Sequence, residues 1–225
     1  VLIRGEFEPM KLIGIDVGRA NTGIVIYDAD LKKVIENITI EIPIAKARRE
    51  FFFNPSSGRL LFIYNEVGRI LKKVLTIEDL KIGQSLAIVE DYAYGKNKIS
   101  IEEFRKMDKM SLEVGEAHGA VYIALRELNI PMIKVSPTQL KCFITGDGTS
   151  GKSEVIRFGS IIYHEMLDDD HQYDALALCH IGRYYIVYCK NQKSIEEGSY
   201  EYNAIAGIAY QPRFANVSKI FGLNL

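Results

Sequence analysis

The sequence predicts a mixed α/β sheet in which three antiparallel strands come first and parallel strands with flanking helices follow. Two patterns carry this: β-branched, partly alternating runs fill residues 12–42, and beyond them short apolar runs alternate with helical periodicities. Size is the third observation. A chain of 225 residues, 48% hydrophobic, 25% charged and 10% aromatic, can bury one sizeable core, and this composition excludes disordered, collagenous and disulfide-scaffold classes.

Leu12 to Val17 is an apolar run broken by Asp16, and Thr22 to Tyr27 is β-branched, with a Gly/Asn connection between them, so the pair reads as a hairpin. Val34 to Ile42 alternates well enough for a third, half-buried strand, which Pro43 ends. Residues 45–59 turn basic and aromatic, with Phe51, Phe52 and Phe53 before Asn-Pro-Ser-Ser-Gly, the pattern of a loop or flap. Leu60, Ile63, Val67, Ile70, Leu71 and Val74 then follow a helical period, closed by Lys72 and Lys73, where cations complement the helix dipole. Leu86 to Val89 reads as a buried strand ending in Glu90 and Asp91. Ser100 and Glu103 have capping-box spacing, and Met107, Met110, Val114, Ala117, Val121, Ala124 and Leu128 mark the longest helix. Pro131 to Val135 is a strand, Pro137 starts a short helix, and Gly146 to Gly151 is a flexible turn before a helix to about Met166. A last helix runs from about Asp170 into Tyr188. The expected domain spans 10–189, with 190–225 a C-terminal extension and 1–9, before Met10, a cloning remnant or disordered stretch.

Lys and Arg number 28 against 29 Asp and Glu, a formal charge of -1, so any site for a polyanion has to be local. The three cysteines, Cys142, Cys179 and Cys189, lack metal-knuckle spacing and fit free thiols in a reducing compartment, so a cytoplasmic location is expected. No apolar run approaches the ~20 residues needed to span a bilayer, and no basic-then-apolar leader is present, so neither membrane nor export is expected.

Three carboxylates stand where backbone geometry can gather them: Asp16 inside the first strand, Glu90 at the end of a later one, and Asp174 in the first turns of the last long helix. A charge flanked by Ile15 and Val17 is costly to bury unless it is paired or bound to metal. Hard oxygen donors of this kind suit Mg²⁺ or Mn²⁺, and two such ions can activate water and stabilise the leaving oxygen of a phosphodiester. His171 lies three residues before Asp174 and Asp170 four before it, so either can share its face. Asp168 and Asp169 read as loop or cap residues.

Five stretches in order resemble the RuvC family of Holliday-junction resolvases: Leu12-Ile-Gly-Ile-Asp-Val-Gly-Arg-Ala-Asn-Thr-Gly23, Val89-Glu-Asp-Tyr-Ala-Tyr-Gly-Lys-Asn97, Gly115-Glu-Ala-His-Gly-Ala-Val121, Val135-Ser-Pro-Thr-Gln-Leu-Lys141 with Gly146-Asp-Gly-Thr-Ser-Gly-Lys152, and Asp174-Ala-Leu-Ala-Leu-Cys-His180. The resemblance covers roughly residues 11–185. It implies an RNase H-like fold, a homodimer, and nicking of two strands of a four-way DNA junction with two Mg²⁺ or Mn²⁺ ions per site. On the same resemblance, Asp16, Glu90 and Asp174 are catalytic carboxylates, His171 is the fourth metal ligand, and Lys141 and Lys152 lie near the scissile phosphate. A lysine there acts as a point charge on phosphate.

The family's base-stacking aromatic is replaced by Ala93, with Tyr92 and Tyr94 on either side as candidate DNA contacts. With the 45–58 insertion and the C-terminal extension, this fits a phage-type or divergent member, which in the phage case would act in the host cytoplasm. Lys96, Lys98, Arg105, Lys106 and Lys109 are expected to join Lys141 and Lys152 in a basic track whose grip on DNA weakens steeply with salt. The Met-bearing stripe of the long helix is the expected dimer face. One alternative is an RNase H-like nuclease of broader specificity on branched DNA, and another a non-catalytic junction binder. An actin-like ATPase or sugar kinase, suggested by Asp16-x-Gly18 and Thr22-Gly23, needs a second sheet domain and phosphate loop that this chain lacks.

Overall fold

The computed structural model describes residues 10–42, 55–91, 101–163, 167–190 and 195–209. Five strands form one sheet: β1 (Lys11–Val17), β2 (Asn21–Asp28), β3 (Lys33–Glu41), β4 (Ser85–Glu90) and β5 (Met132–Val135), in the order β3-β2-β1-β4-β5. β1, β2 and β3 pair antiparallel, whereas β1 with β4 and β4 with β5 are parallel. This is the mixed sheet the sequence predicts. Six helices are described: α1 (Pro55–Val74), α2 (Ile101–Glu127), α3 (Pro137–Thr145), α4 (Lys152–Tyr163), α5 (Asp170–Lys190) and α6 (Tyr200–Ala209).

The central strand β1 is buried on both faces, which is why its run is apolar rather than alternating. Side-chain alternation divides it between two cores. Ile13, Ile15 and Val17, with Ile24, Ile26, Ala87 and Val89, meet Ile63, Val67, Ile70 and Leu71 of α1 and Ala117, Val121, Ala124 and Leu125 of α2. Leu12, Val25, Tyr27, Leu86 and Ile88 face the opposite way, onto Ala175, Leu178, Cys179 and Ile186 of α5.

Close approach of α5 to the sheet depends on Gly14, where an added methyl would sit 1.7 Å from the Ala175 carbonyl oxygen. The space is taken by the Cys179 thiol, whose Sγ accepts the Gly14 N–H at 3.0 Å. All three cysteines are free thiols, Cys179 and Cys189 buried.

One sequence expectation is corrected. The apolar stripe of α2 is internal from Ala117 to Leu128, filling the core between α1 and the sheet, so this half of the stripe is not an open face for a second chain. The segment beyond residue 189 packs on the opposite core. Ile195 and the α6 residues Ala204, Ile205 and Ile208 are buried in the same core as α3 and α5, where the Tyr202 and Tyr188 rings meet edge-on at 5.8 Å. The apolar residues of the C-terminal extension recur at helical spacing.

The 45–54 part of the insertion lies outside the described residues. Among them, no helix is long and apolar enough to cross a membrane.

Candidate active site

The last register pair of the parallel strands β1 and β4 is Ile15 with Val89. One residue further on each strand come Asp16 and Glu90, side by side at the carboxyl end of the sheet. Asp16 alternates with Ile15 and Glu90 with Val89, so both carboxylates leave the α1/α2 core and point to the α5 face. The carboxyl ends of parallel strands are where α/β sheets open to ligands.

α5 starts over this edge. Asp169 caps it, its Oδ1 accepting the Gln172 N–H at 2.9 Å. The first turn then presents His171, and Asp174 follows one turn on. Asp16 Oδ2 accepts a hydrogen bond from His171 Nδ1 at 2.6 Å. With Nδ1 donating, the neutral form of the ring has its lone pair on Nε2, from which Asn21 Nδ2 is 3.5 Å away. Gly23, paired with Asp16 across the hairpin, makes room for this turn, since a methyl there would lie 2.4 Å from the His171 carbonyl oxygen.

The side chains of Asp16 and Glu90 hydrogen-bond to each other, with the proton on Glu90. Burial pushes Glu90 up, the bond to Asp16 and the charges of Asp16 and Asp174 add to it, and its pKa reaches about 10. Burial also pushes Asp16 up, but the bonds from His171 and Glu90 and the nearby positive charges outweigh it, so its net displacement is downward. Asp174 rises to about 7 through burial and the Asp16 charge, opposed by Lys152, His171 and Lys141. His171 is raised by its bond to Asp16, against burial.

Two lysines border the cluster. Ser136 caps α3 with a capping box to Gln139 and Pro137 follows it, so α3 begins directly where β5 ends beside Glu90. That places Lys141 where its charge acts on Glu90 and Asp174. Lys152, at the start of α4, acts on Asp16, Asp174 and His171, and pairs with Asp170. Asp170 therefore faces Lys152, while His171 faces Asp16.

The structure thus brings Asp16, Glu90, His171, Asp174, Lys141 and Lys152 together. Arg105, Lys106 and Lys109 fall on the first half of α2, and Tyr92, Tyr94, Lys96 and Lys98 lie outside the described residues. Sequence reasoning missed His118, Asn37, Thr39 and Gln172. His118 is buried in α2, its Nε2 2.8 Å from the Glu90 carbonyl oxygen and its Nδ1 2.9 Å from that of Val114, so it ties the strand end to the helix. It sits within the Gly115 to Val121 stretch that carries part of the family resemblance, which was the available signal. Asn37 and Thr39 carried none, because polar residues on a half-buried strand read as its solvent side, and neither did Gln172, because a polar residue in the first turn of a helix reads as exposed.

Three oxygen donors and an imidazole, with negative charge crowded enough to raise two pKa values, fit a hard divalent cation chemically. The side chains are turned onto one another by hydrogen bonds, and among the described residues no three His, Cys, Asp or Glu side chains group as a ready-made cation cage.

Comparison with known proteins gives a consistent family. The profile described as crossover junction endodeoxyribonuclease RuvC matches residues 12–180. The crossover junction endodeoxyribonuclease RuvC of Borrelia turicatae is 30% identical over 187 residues, covering 79% of this chain and 99% of that protein. Its counterpart in Fusobacterium nucleatum subsp. nucleatum is 28% identical over 172 residues, covering 76% of this chain and 78% of the relative. Among solved structures, T. thermophilus RuvC in complex with Holliday junction substrate superposes with a TM-score of 0.52 at 20% identity, over 78% of this chain and 94% of that one. That likeness concerns the fold.

Proposed function

Because the chain belongs to the RuvC family of crossover junction endodeoxyribonucleases, we propose that it resolves four-way DNA junctions by hydrolysing phosphodiesters at the Asp16, Glu90 and Asp174 cluster. The observation that carries this is the convergence of three carboxylates from β1, β4 and α5 at one sheet edge, beneath His171 and between Lys141 and Lys152.

Two divalent cations, Mg²⁺ or Mn²⁺, would be held by Asp16, Glu90 and Asp174 with His171 as nitrogen donor, supplying Lewis acidity to the attacking water and to the leaving oxygen. The chain's own residues do the remaining work. Asp16, held down, provides negative charge throughout, Asp174 adds charge as it ionises near neutral pH, and His171 braces Asp16. Lys141 and Lys152 offset the charge that grows on the phosphate as a bond to the water oxygen forms and the bond to the sugar oxygen breaks. Lys152 is ion-paired with Asp170 and largely exposed, so it can turn to a phosphate by exchanging one anion for another.

Paired nicks need two sites, and among the described residues one chain presents one such cluster, so the acting species in this reading is a homodimer. Its interface uses a surface other than the buried half of the α2 stripe.

A synthetic mobile junction incubated with Mg²⁺ and with chelator tests the reading by product mapping. Symmetric paired nicks that vanish with chelator are expected. Scattered cuts on several branched forms would favour the broader nuclease, and binding without cutting in Mg²⁺ would remove the activity.

A further inference from the structure

Asp170 and His171 are neighbours on a helix with 3.6 residues per turn, so a rotation of about 100° would exchange one for the other over Asp16. The buried face of α5 sets the rotation of the helix body on the sheet, and the partly exposed first turn is held by further bonds. The structure shows a closed ring of hydrogen bonds between the first turn of α5 and the edge strand β3. Thr39 Oγ1 donates to Asp169 Oδ2 at 2.6 Å, Asp169 Oδ1 accepts the Gln172 N–H at 2.9 Å, and Gln172 Nε2 donates back to Thr39 Oγ1 at 3.3 Å. Gln172 Oε1 accepts from Asn37 Nδ2 at 2.6 Å and from the Asp168 N–H at 3.2 Å.

Gln172 is only 3% exposed, yet both polar atoms of its side chain are satisfied, which makes the ring a built junction rather than a surface contact. Its position matters too. Thr39 pairs with Gly23 across β2 and β3, and Gly23 is the residue that lies under the His171 backbone. Sheet, ring and first turn are therefore registered at one point. On the other side of the same turn, Lys152 holds Asp170.

We propose that Thr39, Asp169 and Gln172, with Asn37, are positioning residues that lock the rotation of the first turn of α5, so that His171 and not Asp170 faces Asp16, and that they thereby set the affinity of the acidic cluster for its divalent cation. The proposal rests on reading that cluster as the cleavage site. None of the four residues touches the reacting atoms; they act through His171.

The test uses the full chain and Thr39→Val, Thr39→Ser and Gln172→Met. Valine keeps the threonine shape without the hydroxyl, serine keeps the hydroxyl, and methionine keeps the glutamine length without its polar atoms. Mn²⁺ affinity is read by calorimetry without DNA, the His171 imidazole resonance, assigned by its loss in His171→Ala, by NMR, and junction affinity in chelator. Thr39→Val and Gln172→Met are expected to weaken Mn²⁺ by about tenfold, the low end for outer-shell partners of a metal site, and to shift the His171 resonance, with junction affinity unchanged. Thr39→Ser should restore both. Wild-type Mn²⁺ affinity and an unmoved His171 signal in Thr39→Val and Gln172→Met overturn the proposal, as does a loss in Thr39→Ser equal to that in Thr39→Val.

Should those variants melt below the assay range, Asn37→Ala at its partly exposed edge position carries the test, with a smaller loss of Mn²⁺ affinity expected because it reaches His171 only through Gln172, and no change overturning it. Mg²⁺-dependent cleavage by the wild type is measured alongside: its absence removes the reading of the site, whereas its presence with unaffected variants removes only the positioning role.

Discussion

Glu90 and Asp16 are adjacent carboxylates with opposite displacements, and their division of one proton explains what each is suited to do. Asp16 is a fixed anion; Glu90 gives up its proton only when another positive charge replaces it. We expect Asp16→Asn, Glu90→Gln and Asp174→Asn each to lower the Mg²⁺-dependent cleavage rate by at least about a hundredfold, with junction affinity unchanged or tighter, since each removes charge that repels phosphate. Retention of half the wild-type rate by any of them would take that residue out of the site. The displacements also predict how stability varies with pH in chelator. A carboxylate raised from its unfolded value near 4 stabilises the fold fully below that value, and the contribution is lost as pH rises through about 7 for Asp174 and about 10 for Glu90. Asp16 runs the other way and costs stability only at acid pH. Burial keeps His180 neutral, which favours the fold as pH rises toward 6.5; above that, the raised His171 loses stabilisation with rising pH in the same direction as the two carboxylates. From pH 6.5 to 9 the melting temperature should fall, and Glu90→Gln should flatten the slope; a rising melting temperature would contradict the assignment.

At the scale of elements, the contact of α5 with β1 and β2 decides the geometry. Gly14 and Gly23 let a helix backbone lie on the sheet where any side chain would hold it off. Gly23→Ala is expected to push the His171 backbone away from β2 and cost cleavage at least tenfold, a loss typical of disturbed outer positions, while the far half of α5, anchored by Tyr185, Ile186 and Tyr188, stays folded. Circular dichroism and a cleavage assay together check this. Equal loss of helix signal and activity would mean that the glycine serves folding rather than the site.

For the molecule as a whole, the carboxyl-terminal segment is structural. α6 packs on α3 and α5, and the Tyr200 ring lies against Gly146, whose φ of 80° and missing Cβ close α3. Since α3 carries Lys141 and α5 carries Asp174, α6 supports both flanks of the cluster from behind. Ile205→Ala, at a fully buried position, should cost about 2–5 kcal/mol by denaturant unfolding. Deleting residues 191–225 should cost more and should broaden the transition; an unchanged midpoint would show that the segment is dispensable. The net charge of -1 leaves no global attraction for DNA, so the lysines at the site have to supply it locally.

Read alone, the sequence determined the strand order of types, the helix periods and the elements on which the three carboxylates stand. An acid inside an apolar strand is anomalous wherever it is placed, and Asp16 between Ile15 and Val17 announces itself by burial cost alone. The helix start at Pro137 was equally local, and so was the ionic character of Lys141 and Lys152. Only the tertiary structure decided which side of α5 faces Asp16, because Asp170 and His171 are both compatible with helical spacing to Asp174, and the choice is made by Lys152 on one side and by Thr39, Asp169 and Gln172 on the other. It also decided that the α2 stripe and α6 belong to the core. Periodicity says that a helix has an apolar face, but which neighbour covers that face depends on packing between residues far apart in the chain.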